Sequence, residues 1–136
     1  MTPDQSNGDA QQTVLLVEDN DQHLELLEAF MGDLPDVRVT TARNGLEAME
    51  RIEADAPDLV LLDIMMPKMS GFEVCKRIKS DPKTRDISVV MVTALNEPGD
   101  VERAAECGTD DYITKPIDRK ALIDLVGSLL TAKPRE

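Results

Sequence analysis

Short apolar runs punctuate the chain at Thr13 to Val17, Val37 to Thr41, Leu59 to Leu62, Ile87 to Val92 and Tyr112 to Thr114. They are rich in β-branched residues, and each predicts a strand. Between them the hydrophobic period changes. Leu24, Leu27 and Met31 recur at helical spacing, as do Leu46, Met49 and Ile52, then Phe72, Cys75 and Ile78, then Val101, Ala104 and Ala105, and last Leu122, Leu125, Val126 and Leu129. Strand and helix therefore alternate, five of each. The first, third and fourth runs are almost continuously apolar, which is the pattern of strands covered on both faces. The fold class this predicts is α/β: a doubly wound, five-stranded parallel sheet with helices on both faces.

Punctuation agrees with the pattern. Gly32 and Pro35 follow the first helical segment, Ala56-Pro57 precedes the third strand, and Asp81-Pro82 follows the third helix. Asp118 is placed to cap the last helix. Asn44-Gly45 could turn a hairpin, but the helical spacing after it makes a turn into a helix the better reading. Residues 1–12, rich in Gln, Ser, Asn, Gly and Asp, read as a flexible arm, 13–131 as one domain, and 132–136 as a tail or the start of a linker.

Composition narrows the function. Fifteen Lys and Arg stand against 27 Asp and Glu, a formal net charge of −12. Such a surface repels phosphate backbones and anionic lipid, so neither direct nucleic-acid binding nor membrane association is expected. No stretch has the length of a membrane span, and the opening residues lack the basic start and apolar stretch of a signal peptide. Cys75 and Cys107 both fall in helix-like patterns and read as small buried hydrophobes in a reducing, cytoplasmic setting.

In an open parallel sheet all strands end at one edge, and ligands bind in the crevice beyond it. Those ends carry Glu18-Asp19, Asp63, Thr93 and Lys115. Carboxylates brought within about 4 Å repel by roughly 4 kcal/mol per pair at an effective dielectric of about 20, which favours a bound cation. Oxygen ligands without His or Cys select a hard divalent ion, and magnesium is the one that keeps several waters and bridges phosphoryl oxygens. A carboxylate beside such an ion can attack phosphorus, with Lys115 absorbing charge and the Thr93 hydroxyl donating to a phosphoryl oxygen. Taken singly, Glu18, Asp19 and Lys115 could be solvated strand-end charges. Asp63, directly after Leu59-Val60-Leu61-Leu62, is harder to read that way, because an unpaired carboxylate there is costly.

Val14-Leu15-Leu16-Val17-Glu18-Asp19-Asn20, Asp63-Ile64-Met65-Met66-Pro67-Lys68-Met69-Ser70-Gly71, Val92-Thr93-Ala94 and Lys115-Pro116 together resemble the motifs of bacterial two-component receiver domains, over about residues 13 to 131. That resemblance implies the flavodoxin-like strand order 2-1-3-4-5. It implies a signalling domain, not an enzyme in its own right, whose Asp63 accepts phosphate from a sensor histidine kinase or a histidine phosphotransfer protein. Glu18, Asp19, Asp63 and the Met65 backbone carbonyl would hold magnesium, with manganese as a substitute. Thr93 and Lys115 would bind the phosphoryl oxygens, Thr93 and Tyr112 would form the switch, and the bond before Pro116 would be cis. The surface altered would be the fourth helix, fifth strand and fifth helix, roughly residues 97 to 130. Homodimers would pair through it, and the output would go to a downstream protein or to a C-terminal output domain. Glu at position 18, where Asp is commoner, leaves the ligand chemistry intact.

His23 beside the acidic loop reads as an exposed first-helix residue, and Met65, Met66 and Met69 as packing. A haloacid-dehalogenase phosphatase would need an acid two residues after the nucleophile, where this chain has Met65. A flavin site or a nucleotide hydrolase would need a hydroxyl- or Gly-rich phosphate loop, which Glu18-Asp19-Asn20-Asp21 does not supply. The remaining alternative is a degenerate receiver that serves as a phosphorylation-independent binding scaffold.

Overall fold

A computed structural model describes residues 12–64, 66, 69–93, 102 and 105–132. The strands are β1 (Gln12–Val17), β2 (Val37–Ala42), β3 (Leu59–Asp63), β4 (Ser88–Thr93) and β5 (Asp111–Thr114). They form one sheet of order β2-β1-β3-β4-β5 in which every pairing is parallel. The helices are α1 (Asp21–Met31), α2 (Gly45–Ala54), α3 (Gly71–Ser80) and α4 (Arg119–Ala132), the last being the fifth helix of the sequence pattern. The expected fourth helix lies largely outside the described residues, among which Glu102, Ala105 and Glu106 are helical.

The two-residue alternation of strand side chains divides the core. Val14 and Leu16, Leu59 and Leu61, and Val90 and Val92 point to one face. There they pack with Leu24, Leu27 and Met31 of α1 and Leu122, Val126 and Leu130 of α4. Leu15 and Val17, Val60 and Leu62, and Val89 and Met91 point to the other, against Ala48 and Ile52 of α2 and Phe72, Val74, Cys75 and Ile78 of α3. Burying each such side chain contributes about 1.5–3 kcal/mol, so the sheet is held as the filling between two helical layers. Each strand's carboxyl end is thereby fixed at a common edge.

Local chemistry starts the helices where the sequence placed them. Asn44 caps α2 by accepting from the Glu47 amide at 2.8 Å, while the Glu47 carboxylate accepts from the Arg43 amide at 2.9 Å. Asp118 accepts from the Ala121 amide at 3.1 Å and so caps α4. Neither cysteine forms a disulfide, and both are buried. The Cys75 thiol donates to the Cys107 carbonyl at 3.3 Å. Burial holds its pKa far above the ordinary thiol range, and Cys107 beside it adds to the shift.

The boundaries differ from expectation at polar ends. Gln12, read from sequence as part of the arm, begins β1: its amide donates to the Asp36 carbonyl at 3.0 Å and its side chain to the Leu130 carbonyl at 3.0 Å. Ala132, assigned to the tail, closes α4. Residues 1–11 and 133–136, the rest of the arm and tail, lie outside the described residues.

Candidate functional site

Glu18 follows β1, and its amide donates to the Ala42 carbonyl at 3.0 Å, so the backbone stays on the sheet as the side chain turns into the crevice. Its carboxylate is 1% exposed. Oε2 accepts from the Asn20 amide at 3.2 Å and Oε1 from Lys115 Nζ at 3.4 Å. Asn20 in turn caps α1, accepting from the His23 amide at 3.0 Å. One short loop therefore orients the acid and starts the helix. Asp63 ends β3 beside Val92 of β4 and is 5% exposed.

Glu18, Asp19 and Asp63 each offer an oxygen such that all three lie within 4.8 Å of one another. Two of the three carboxylates are buried and one is exposed. Like charges this close ask for a cation, and oxygen ligands alone suit a hard one. Among the described residues the cation beside them is Lys115, 19% exposed, whose Nζ lies 3.9 Å from Asp63 Oδ1 and 3.4 Å from Glu18 Oε1. It reaches Glu18 across 97 positions of sequence. The Lys115–Pro116 bond is cis.

Of the residues singled out from the sequence, Glu18, Asp19, Asp63 and Lys115 thus meet in one place. The Thr93 backbone ends β4 in register with Thr114; the placement of its hydroxyl lies outside the described residues, as do Met65 and its carbonyl. Tyr112 is half-buried and packs against the core face shared by α2 and α3. Met69 is buried and Met66 packs against the same face, as packing residues should.

Two residues named in the sequence make contacts at the site that the sequence did not assign to them. His23 is 46% exposed, as expected of that helix position, yet its Nδ1 stands 3.1 Å from Lys115 Nζ. The available signal was the Asn20 cap, because side chains in a first helical turn lean back toward the helix start and so toward the strand end. Gly71 opens α3 beneath the acidic pocket, and its amide donates to the Ile64 carbonyl at 3.0 Å. A Cβ there would come within 2.4 Å of the Asp63 carbonyl oxygen and 2.8 Å of Ile64 Cα. These are backbone atoms that cannot swing aside, so Gly71→Ala is expected to cost about 1–3 kcal/mol of stability. Urea unfolding monitored by far-UV circular dichroism checks this; an unchanged midpoint would show that the backbone yields freely.

Known proteins place the chain. The response regulator receiver domain family matches residues 14–127. Response regulator PleD of Caulobacter vibrioides is 43% identical over 120 residues, which are 88% of this chain and 26% of PleD. The polar-differentiation response regulator DivK of Brucella anthropi is 38% identical over 118 residues, 87% of this chain and 95% of DivK. The chain therefore spans about a quarter of PleD and nearly all of DivK. Among solved structures, the receiver domain of a signal transduction histidine kinase from Syntrophus aciditrophicus superposes with a TM-score of 0.85 at 36% identity, covering 92% of this chain and 94% of that one. The receiver domain of the sensor histidine kinase PA1611 from Pseudomonas aeruginosa, solved with magnesium coordinated in its active-site cleft, gives 0.82 at 29% identity, covering 90% and 100%. With the motif residues gathered at the carboxyl edge of a 2-1-3-4-5 sheet, the chain belongs to the response regulator receiver domains of two-component signalling.

Proposed function

We propose that the protein is a phosphoacceptor receiver in which Asp63 takes a phosphoryl group from a phosphohistidine of a sensor kinase or phosphotransfer protein. The observation that carries this reading is the approach of three carboxylates to within 4.8 Å, with the Lys115 ammonium 3.9 Å from Asp63. The all-oxygen donor set fits magnesium, and manganese by the same preference. Glu18, Asp19 and Asp63 would hold the ion, together with the Met65 carbonyl. When bound, the ion would supply positive charge to the carboxylates and to the transferring oxygens.

The chain's own groups then have definite tasks. An Asp63 carboxylate oxygen attacks phosphorus as the donor's P–N bond breaks, and the departing imidazole takes up a proton from water. Lys115, already within reach of Asp63, neutralises charge on the transferring oxygens. The Thr93 hydroxyl donates to one of them. Tyr112, half-buried at the margin of the core, is suited to exchange one environment for the other as Thr93 moves.

The surface so altered is the fourth helix, fifth strand and fifth helix, which would engage a downstream protein, an attached output domain or a second copy. The acidic surface favours protein partners over nucleic acid or membrane. Among the described residues no helix is long and apolar enough to cross a membrane, and we place the domain in the cytoplasm, where its kinases would act. Incubation with acetyl phosphate and magnesium chloride tests the reading, since attack by Asp63 would release acetate. Intact-mass spectrometry and peptide mapping should show one phosphoryl group, on the peptide containing Asp63, that fails to form in EDTA. Absence of label, or label elsewhere, would overturn it.

A further inference from the structure

Among the described residues, Lys115 Nζ makes its shortest polar contact neither with Glu18 at 3.4 Å nor with Asp63 at 3.9 Å, but with His23 Nδ1 at 3.1 Å. An ammonium only donates, so Nδ1 is the acceptor and the ring proton sits on Nε2. The longer approach of His23 to Glu18, 3.8 Å, would be an ion pair only with a doubly protonated ring. The two contacts need opposite protonation of Nδ1, and only the shorter one, to Lys115, is within hydrogen-bond distance.

From this we infer that His23 is a positioning residue for phosphoryl transfer, holding the Lys115 ammonium over Asp63 before the donor arrives. The inference rests on the reading of Asp63 as phosphoacceptor. A lysine ammonium has three N–H groups on a flexible stem and is strongly hydrated. Glu18 and Asp63 draw it toward the crevice floor, and His23 takes a further N–H from the first turn of α1. That turn is itself anchored, because the Asn20 carboxamide that caps it and the Asn20 amide that holds Glu18 belong to one residue. Lys115 is thus drawn from three directions, and because the 3.9 Å approach to Asp63 is too long for a hydrogen bond, one of its three N–H groups remains available to an incoming phosphoryl oxygen. Ordering the cation beforehand removes that requirement from the transition state. His23 touches neither nucleophile nor phosphoryl group and acts through Lys115 alone.

The test compares wild type, His23→Leu and His23→Asn, using acetyl phosphate labelling in saturating magnesium with initial rates read by intact-mass spectrometry. Asn presents an oxygen near the position of Nδ1, whereas Leu presents none. His23→Leu is expected to slow labelling by about three- to tenfold, while His23→Asn stays within about twofold of wild type. Thermal midpoints of all three should coincide, because the side chain is half exposed. Ring ¹⁵N shifts of the wild type should report the Nε2-protonated tautomer. Labelling of His23→Leu at the wild-type rate, or equal slowing in both variants, would overturn the inference while leaving Asp63 as phosphoacceptor. Failure of the wild type itself to label would instead remove the functional reading on which it depends.

Discussion

Asp63→Asn is expected to abolish phosphoryl incorporation from acetyl phosphate and, in metal-free buffer, to leave the stability of the fold within about 1 kcal/mol of the wild type. The first effect follows from the nucleophile: a carboxamide does not form the mixed anhydride. The second follows from opposed charges of similar strength. With carboxylate oxygens no more than 4.8 Å apart, the buried Glu18 and Asp63 repel by at least about 3 kcal/mol at an effective dielectric of about 20. Asp19 adds a smaller, solvent-screened share. Against this stands the attraction of Lys115, 3.9 Å from Asp63 and shared with Glu18. Removing the Asp63 charge relieves its repulsion from Glu18 and Asp19 and forfeits the attraction of Lys115, which is about 4 kcal/mol at the same dielectric, so the two nearly offset until a divalent cation is added. Urea unfolding with and without magnesium chloride should therefore show a large stabilisation of the wild type by the ion and a much smaller one of Asp63→Asn. Equal stabilisation of the two, or residual labelling of the variant, would refute the assignment.

Lys79→Met is expected to cost about 2–3 kcal/mol of folding stability without touching the site. Lys79, in the last turn of α3 and only 17% exposed, donates from Nζ to the Arg85 carbonyl at 3.0 Å and the Ile87 carbonyl at 2.6 Å, and pairs with Asp110 Oδ2 at 2.9 Å. Asp110 also accepts from the Val89 amide at 2.7 Å, and its own amide donates to the Val89 carbonyl at 2.9 Å. The stem of Lys79 lies against Gly108, at φ +86, where a Cβ would come within 3.2 Å of Lys79 Cγ. A methionine keeps much of that packing but leaves two carbonyls and a carboxylate without their shared donor. A loss below about 1 kcal/mol in chemical denaturation would show that water replaces the ammonium there.

The contrast between Lys79 and the strands explains what could be seen in the sequence. Strands covered on both faces leave apolar runs, so β1, β3 and β4 were visible as such, and the alternation of helical spacing between them was enough to state the architecture. The strand ends were harder to see for the same reason: Gln12, Asp63 and Asp111 continue the backbone pairing with polar side chains and interrupt the apolar signal. The acidic pocket was legible because parallel topology sends every strand end to one edge, so position along the chain translates into position in space. His23 is exposed as its helix position predicts, and its contact with Lys115 was not legible because exposure says nothing of which way a side chain leans. The Lys79–Asp110 pair left no trace, because a single ion pair between distant segments has neither period nor motif.

The side chain of Gln12 fastens the first residue of β1 to the last turn of α4 at the Leu130 carbonyl. Both ends of the described fold consequently emerge at the amino edge of the sheet, and the six-residue strand β1, rising about 3.3 Å per residue, sets that edge roughly 15–20 Å from the acidic pocket. A fluorophore, affinity handle or fused reporter attached on that side would stand clear of the acidic pocket and of a partner approaching it.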